Sequence, residues 1–67
     1  MSAWIRQVFE SQMARRGRVV RRKLSSIDRY ASREQFKQEC KRRGFHIVAH
    51  RDQWLVFCDK GRVRIVL

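Results

Sequence analysis

Arg15, Arg16, Arg18, Arg21, Arg22 and Lys23 place six cations in nine consecutive positions, with only Gly17, Val19 and Val20 between them. Guanidinium groups grip phosphate oxygens in a two-pronged fashion, and an ammonium binds them as a point charge. Such a run therefore suits the neutralisation of a polyanion's backbone. A second group, Lys41, Arg42 and Arg43, stands directly before Gly44, and Arg62 and Arg64 follow later. Across the 67 residues, 17 Lys and Arg face six Asp and Glu, a formal charge of +11. A small domain with that imbalance repels itself and attracts anions. The competing reading of each run is a solvated face whose charge discourages aggregation.

Other reactive side chains are few. His46 and His50, four residues apart on one strand, stand roughly 13 Å from each other at about 3.3 Å per residue. That separation is too large for one metal ion or a close acid–base pair. Cys40 and Cys58 have no metal-type spacing, and both are expected to point inward as free thiols, with a reducing compartment to match. The six acids form no catalytic pairing pattern, and Glu39 with Arg43 reads as a helix-surface ion pair. These residues predict no metal, no cofactor and no catalytic centre.

The elements that must position the cations follow from periodicity. Trp4, Ile5, Val8, Phe9 and Met13 form an apolar stripe, with Ser2 as N-cap and Gly17 beyond the last turn, predicting a helix over about 2–16. The run from Met1 to Phe9 is too short and too polar for a signal peptide or a membrane span. Helix 1 could lie on an anionic membrane, but its apolar stripe is needed to cover a sheet, so no membrane partner is expected and the location predicted is cytoplasmic. Val19 and Val20 favour a short strand near 18–24, followed by a turn or irregular segment. Val20, Leu24, Ile27 and Ala31 also fit a helical spacing. Ser32 and Gln35 make a capping-box pattern for a helix over about 32–43, ended by Gly44, with a narrow apolar stripe of Phe36 and Cys40.

The last third reads as three antiparallel strands, Phe45 to His50, Gln53 to Asp59 and Arg62 to Leu67, turning at Arg51-Asp52 and Lys60-Gly61. With those turns, Phe45, Ile47, Ala49, Trp54, Val56, Cys58, Val63, Ile65 and Leu67 share one wholly apolar face. The other face is mixed, with Phe57 beside Arg64 and His46 resembling a stacking platform for unpaired bases. Val48, Leu55, Phe57 and Val66 on that face suggest instead a covering subunit, hence a homodimer. The predicted fold is a single α+β domain over 1–67, with two helices packed on one face of a small antiparallel sheet.

From Ser32 to Leu67 the order helix, Arg-Arg-Gly-Phe, three short strands is similar in outline to the HicA-type toxins. That resemblance implies a double-stranded-RNA-binding-like fold and messenger RNA cleavage by a histidine early in the second strand. Trp54 stands at that position here and the family's Gly-Ser-His signature is absent. Such cleavage would then fall to His46 or His50. The whole chain also resembles small bacterial proteins, often carried on mobile elements, that end in an Arg-Arg-Gly-Phe-His strand block, here Arg42 to His46. That likeness implies no particular activity.

The expectation is a non-enzymatic, cytoplasmic nucleic-acid-binding domain. Arg15, Arg16, Arg18, Arg21, Arg22 and Lys23 form its main contact patch. Lys41, Arg42, Arg43, Arg62 and Arg64 extend it, and Phe57 stacks. The alternative is a protein-interaction or inhibitor module acting on an acidic partner, with the homodimer as its candidate assembly.

Overall fold

A computed structural model describes residues 2–67. Among the described residues there are four helices and three strands: α1 (Ala3–Glu10), α2 (Gln12–Arg15), β1 (Val19–Lys23), α3 (Leu24–Tyr30), α4 (Arg33–Arg43), β2 (His46–His50) and β3 (Gln53–Phe57). The strands form one antiparallel sheet in the order β1-β3-β2, and the helices pack against it. The architecture is α+β, with four helices where two were expected.

The first predicted helix is broken at Ser11. Its backbone is extended there, with ψ near 155°, and its hydroxyl accepts from the Ala14 N–H at 3.4 Å, so the same residue ends α1 and caps α2. The break resets the helical phase. Ala14 is buried in place of Met13, which is half exposed. Gly17 then closes α2 at φ 69°, with Arg18 N–H bonded to the Met13 carbonyl and Gly17 N–H to that of Ala14. This paired C-terminal motif needs the left-handed residue that glycine supplies.

The strand near 18–24 forms, but the segment after it is helical rather than irregular. Ser25 and Ser26 lie in the first turn of α3, where serine is tolerated. Ile27 is fully buried, and Leu24 and Ala31 pack against the core. Burial of that apolar spacing outweighs the weak local propensity. At Ser32 the hydroxyl accepts from the Gln35 N–H at 3.0 Å, starting α4 where the capping pattern placed it, and Gly44 at φ 75° ends it.

The hairpin at Arg51-Asp52 has the expected register, pairing Ile47 with Val56 and Ala49 with Trp54. The third C-terminal strand does not form. Residues 58–67 have no helix or strand structure, and Gly61 lacks the positive φ that a Lys60-Gly61 hairpin needs. Its N–H is taken instead by the Asp59 carboxylate at 2.7 Å. The place beside β3 is occupied by β1, which pairs Val20 with Val56 where Ile65 was expected, and Arg22 with Trp54 where Leu67 was expected. With β2 on its other side, β3 has no free edge left.

The core lies between the helices and one sheet face. Ile5, Val8, Phe9, Ala14, Ile27, Phe36 and Cys40 from the helices meet Val20, Val56 and Cys58 from the sheet side. Phe36 is at its centre, with its ring within 6.2 Å of those of Trp4, Phe9 and Trp54. Phe45, Ile47 and Trp54 line the margin, while Ala49 is exposed. Ile65, Val66 and Leu67 are at least 90% exposed, so the expected contribution of the C-terminal residues to the apolar face is absent.

Candidate nucleic-acid interface

The side chains of a strand alternate between faces, so pairing β1 with β3 sends Arg22 to one side of the sheet and Arg21 and Lys23 to the other. Val20 and Arg22 face the helices. Val19, Arg21 and Lys23 face away from them and join the mixed face of the hairpin. Cross-strand register then defines three rows: Val19–Phe57–His46, Arg21–Leu55–Val48 and Lys23–Gln53–His50. None of these nine belongs to the core, and none is a carboxylate.

The structure thus brings together features that stood apart in the sequence. Phe57 keeps His46 as its direct neighbour, but its expected companion Arg64 is not on the sheet. Arg62 and Arg64 lie in the C-terminal segment, as does Val66, because the strand that was to carry them does not form. Their place on the open face is taken by residues of β1. Val19 and Val20 mark the strand in the sequence, but nothing local names its partner. Arg15 and Arg16 are exposed at the end of α2, and Arg18 is exposed directly before β1, where its carbonyl accepts from the Cys58 N–H. Arg22 is half-buried on the helix side, and its guanidinium donates to the Arg21 carbonyl at 2.6 Å.

The cations at the end of α4 have a different environment. Arg42 fits the Glu39 carboxylate as a fork, Nε to Oε1 at 2.9 Å and Nη2 to Oε2 at 2.6 Å. Arg43 Nε reaches the same carboxylate at 3.0 Å, and its guanidinium lies 4.7 Å from the centre of the Phe9 ring. The expected Glu39–Arg43 pair is present, but Glu39 is buried rather than on the surface. The Arg42 hydrogen bonds, aided by Arg43 and opposed by burial, hold the Glu39 carboxyl down at about 2. Lys41 is exposed beside them. Among the described residues the other ion pair is Arg33 with Asp28, bidentate at 3.0 Å, so no cation of the 15–23 run has an acidic partner.

Cys40 and Cys58 are buried and free. Burial, with Cys58 nearby, pushes the Cys40 thiol up to about 12, and burial likewise raises that of Cys58. Thiols raised in this way are poor nucleophiles and poor metal ligands near neutrality. Among the described residues no three His, Cys, Asp or Glu side chains are grouped to hold a metal ion, and no helix is long and apolar enough to cross a membrane. A second aromatic surface escaped the sequence reading. On the helical side Tyr30, half exposed, stacks on Trp4 at 5.8 Å, with the Arg29 guanidinium 5.4 Å from the Tyr30 ring centre.

No family model, curated protein or solved structure matches this chain.

Proposed function

We propose that this chain is a non-enzymatic nucleic-acid-binding domain that holds the phosphate backbone through Arg15, Arg16, Arg18, Arg21, Arg22 and Lys23. One observation carries the reading: among the described residues these six cations have no acidic partner, and two of them, Arg21 and Lys23, lie on a sheet face without a carboxylate. Cations kept free of internal ion pairs can exchange mobile counterions for phosphates, which is the source of salt-dependent affinity. Binding by position on the backbone needs no catalytic group. Support for a non-enzymatic role comes from the two histidines at opposite ends of β2 and from the raised, buried thiols.

The test is a titration with duplex DNA, single-stranded DNA and RNA at two salt concentrations. Binding at micromolar concentration or tighter near physiological salt, falling steeply as salt rises, is the expected result. Absence of binding to all three at low salt would overturn it.

A second reading is favoured by one observation, the exposure of Ile65, Val66 and Leu67. Three consecutive exposed apolar side chains suit a protein partner. A stable complex with an acidic protein, together with no nucleic-acid binding, would select this alternative.

A further inference from the structure

We infer that the open sheet face is a platform for single-stranded nucleic acid, with unpaired bases lying on Phe57 and His46 while Arg21 and Lys23 hold the phosphates. This rests on the phosphate-binding role proposed above and names the form of nucleic acid that it takes.

Register supplies the first argument. Phe57 on β3 stands directly across from His46 on β2, and neighbouring strands are about 4.8 Å apart, so two flat rings occupy adjacent positions on one side of the sheet. Arg21 occupies the next row on β1, diagonal to Phe57 and within reach of the backbone of a base seated there, and Lys23 stands one row further along the same strand. Unpaired bases offer π-faces to such rings, whereas in a duplex those faces are already stacked.

Charge complementarity fixes the class of occupant. The face carries Arg21 and Lys23 and has no carboxylate among its nine positions. A second copy docked face to face would bring two sets of these cations together across a desolvated interface, which like-charge repulsion opposes. A polyanion neutralises them. The rival aromatic surface at Tyr30 already has its stacking partner in Trp4 and its cation in Arg29.

The test compares single-stranded RNA, single-stranded DNA and duplex DNA of about 12 nucleotides, a length within the range covered by small single-strand-binding folds. Fluorescence anisotropy is read at two salt concentrations for the wild type, Phe57→Leu, Phe57→Tyr and Tyr30→Ala. The expected result is tighter binding of single strands than of duplex. Phe57→Leu, which keeps apolar bulk without a ring, should lower single-strand affinity by about tenfold, in line with the loss of one stacked base. Phe57→Tyr should retain the wild-type affinity, and Tyr30→Ala should leave the single-strand preference in place. Near-UV circular dichroism of Phe57→Leu matching the wild type confirms that packing is intact.

Duplex binding as tight as single-strand binding would overturn the inference, as would wild-type affinity in Phe57→Leu or loss of the preference in Tyr30→Ala. In those cases salt-dependent binding still supports the phosphate contacts. Failure to bind any of the three nucleic acids at low salt would overturn both. Whichever of RNA or DNA binds tighter identifies the sugar that the face accepts.

Discussion

Arginines at 15–23 and at 42–43 are drawn from the same chemistry, yet they occupy opposite electrostatic situations. In the first stretch they stand on a helix end and an edge strand with no carboxylate paired to them. In the second, two guanidiniums close on the buried carboxylate of Glu39, and one of them also covers Phe9. A cation already hydrogen-bonded to a carboxylate has spent part of its donor set and compensates a charge inside the protein. A cation without such a partner keeps its donors and its counterions for an external anion. Counting basic residues does not separate these cases, whereas locating the nearest acid does.

The largest expected effect tests that separation directly. Replacing Arg18, Arg21 and Lys23 with Gln should lower nucleic-acid affinity by roughly ten- to a hundredfold at moderate salt and flatten the log–log salt slope by about 2–3. Replacing Arg42 and Arg43 with Gln should instead lower the melting temperature, because it leaves the Glu39 carboxylate buried without partners, and should change the salt slope little. Anisotropy titrations and thermal melts on both variants provide the comparison. Equal losses of binding in the two would break it.

Glu39 is the next lever, since it alone collects the second cluster. Glu39→Gln keeps the shape of the side chain but removes its charge, and should cost about 1–3 kcal/mol of folding stability, read by urea denaturation. It also frees Arg42 and Arg43, so the affinity for a polyanion should rise modestly while stability falls. A variant that is as stable as the wild type would show that the Arg–Glu cluster contributes no net stabilisation.

What the sequence disclosed depended on whether the determinant was local. Ser32, Gly17 and Gly44 mark helix boundaries through their own backbone chemistry, and α4 lies where they put it. The Arg51-Asp52 register could be read because one slip would turn every apolar side chain outward. The third strand was expected because Val63, Ile65 and Leu67 alternate as strand residues do, whereas Val19 to Lys23, which pairs with β3 instead, shows no such alternation. Two segments could compete for the one free edge of β3, and nothing local decides between them. That choice then set the composition of the candidate site, replacing Arg64 with Arg21 and Lys23 on the face that carries Phe57 and His46. The basic residues were plain in the sequence, but their pairing was not. The burial of Glu39 follows from how α4 seats on the core beside Phe36 and Cys40, so a polar-looking helix face gave no sign of it.

Acid should unsettle the paired cluster before any comparable effect reaches the free one. The Glu39 carboxyl is held at about 2, below its ordinary 4.5, so it binds fewer protons folded than unfolded through that interval. Its stabilisation is then complete above pH 4.5 and is lost as pH falls toward 2. Urea midpoints measured from pH 5 to pH 2 should drop for the wild type and drop less steeply for Glu39→Gln. Parallel curves for the two proteins would assign the acid sensitivity to other groups.

Arg43→Lys is the smallest and most selective change. It keeps the positive charge, so any argument from net charge predicts no difference at all. The guanidinium of Arg43, however, donates to Glu39 through Nε while lying over the Phe9 ring, and an ammonium cannot present a flat face to a ring and an in-plane donor to a carboxylate together. Loss of the cation–π contact should remove about 0.5–1 kcal/mol, a shift of a few degrees in melting temperature for a domain of this size. Arg21→Lys on the open face has no such double role, so its melting temperature should match the wild type. If both substitutions shift it equally, the distinction between a cation built into the core margin and one left for a partner is lost at the level of single residues. If only Arg43→Lys moves, the geometry of the guanidinium, and not its charge, is what ties the second cluster to the fold.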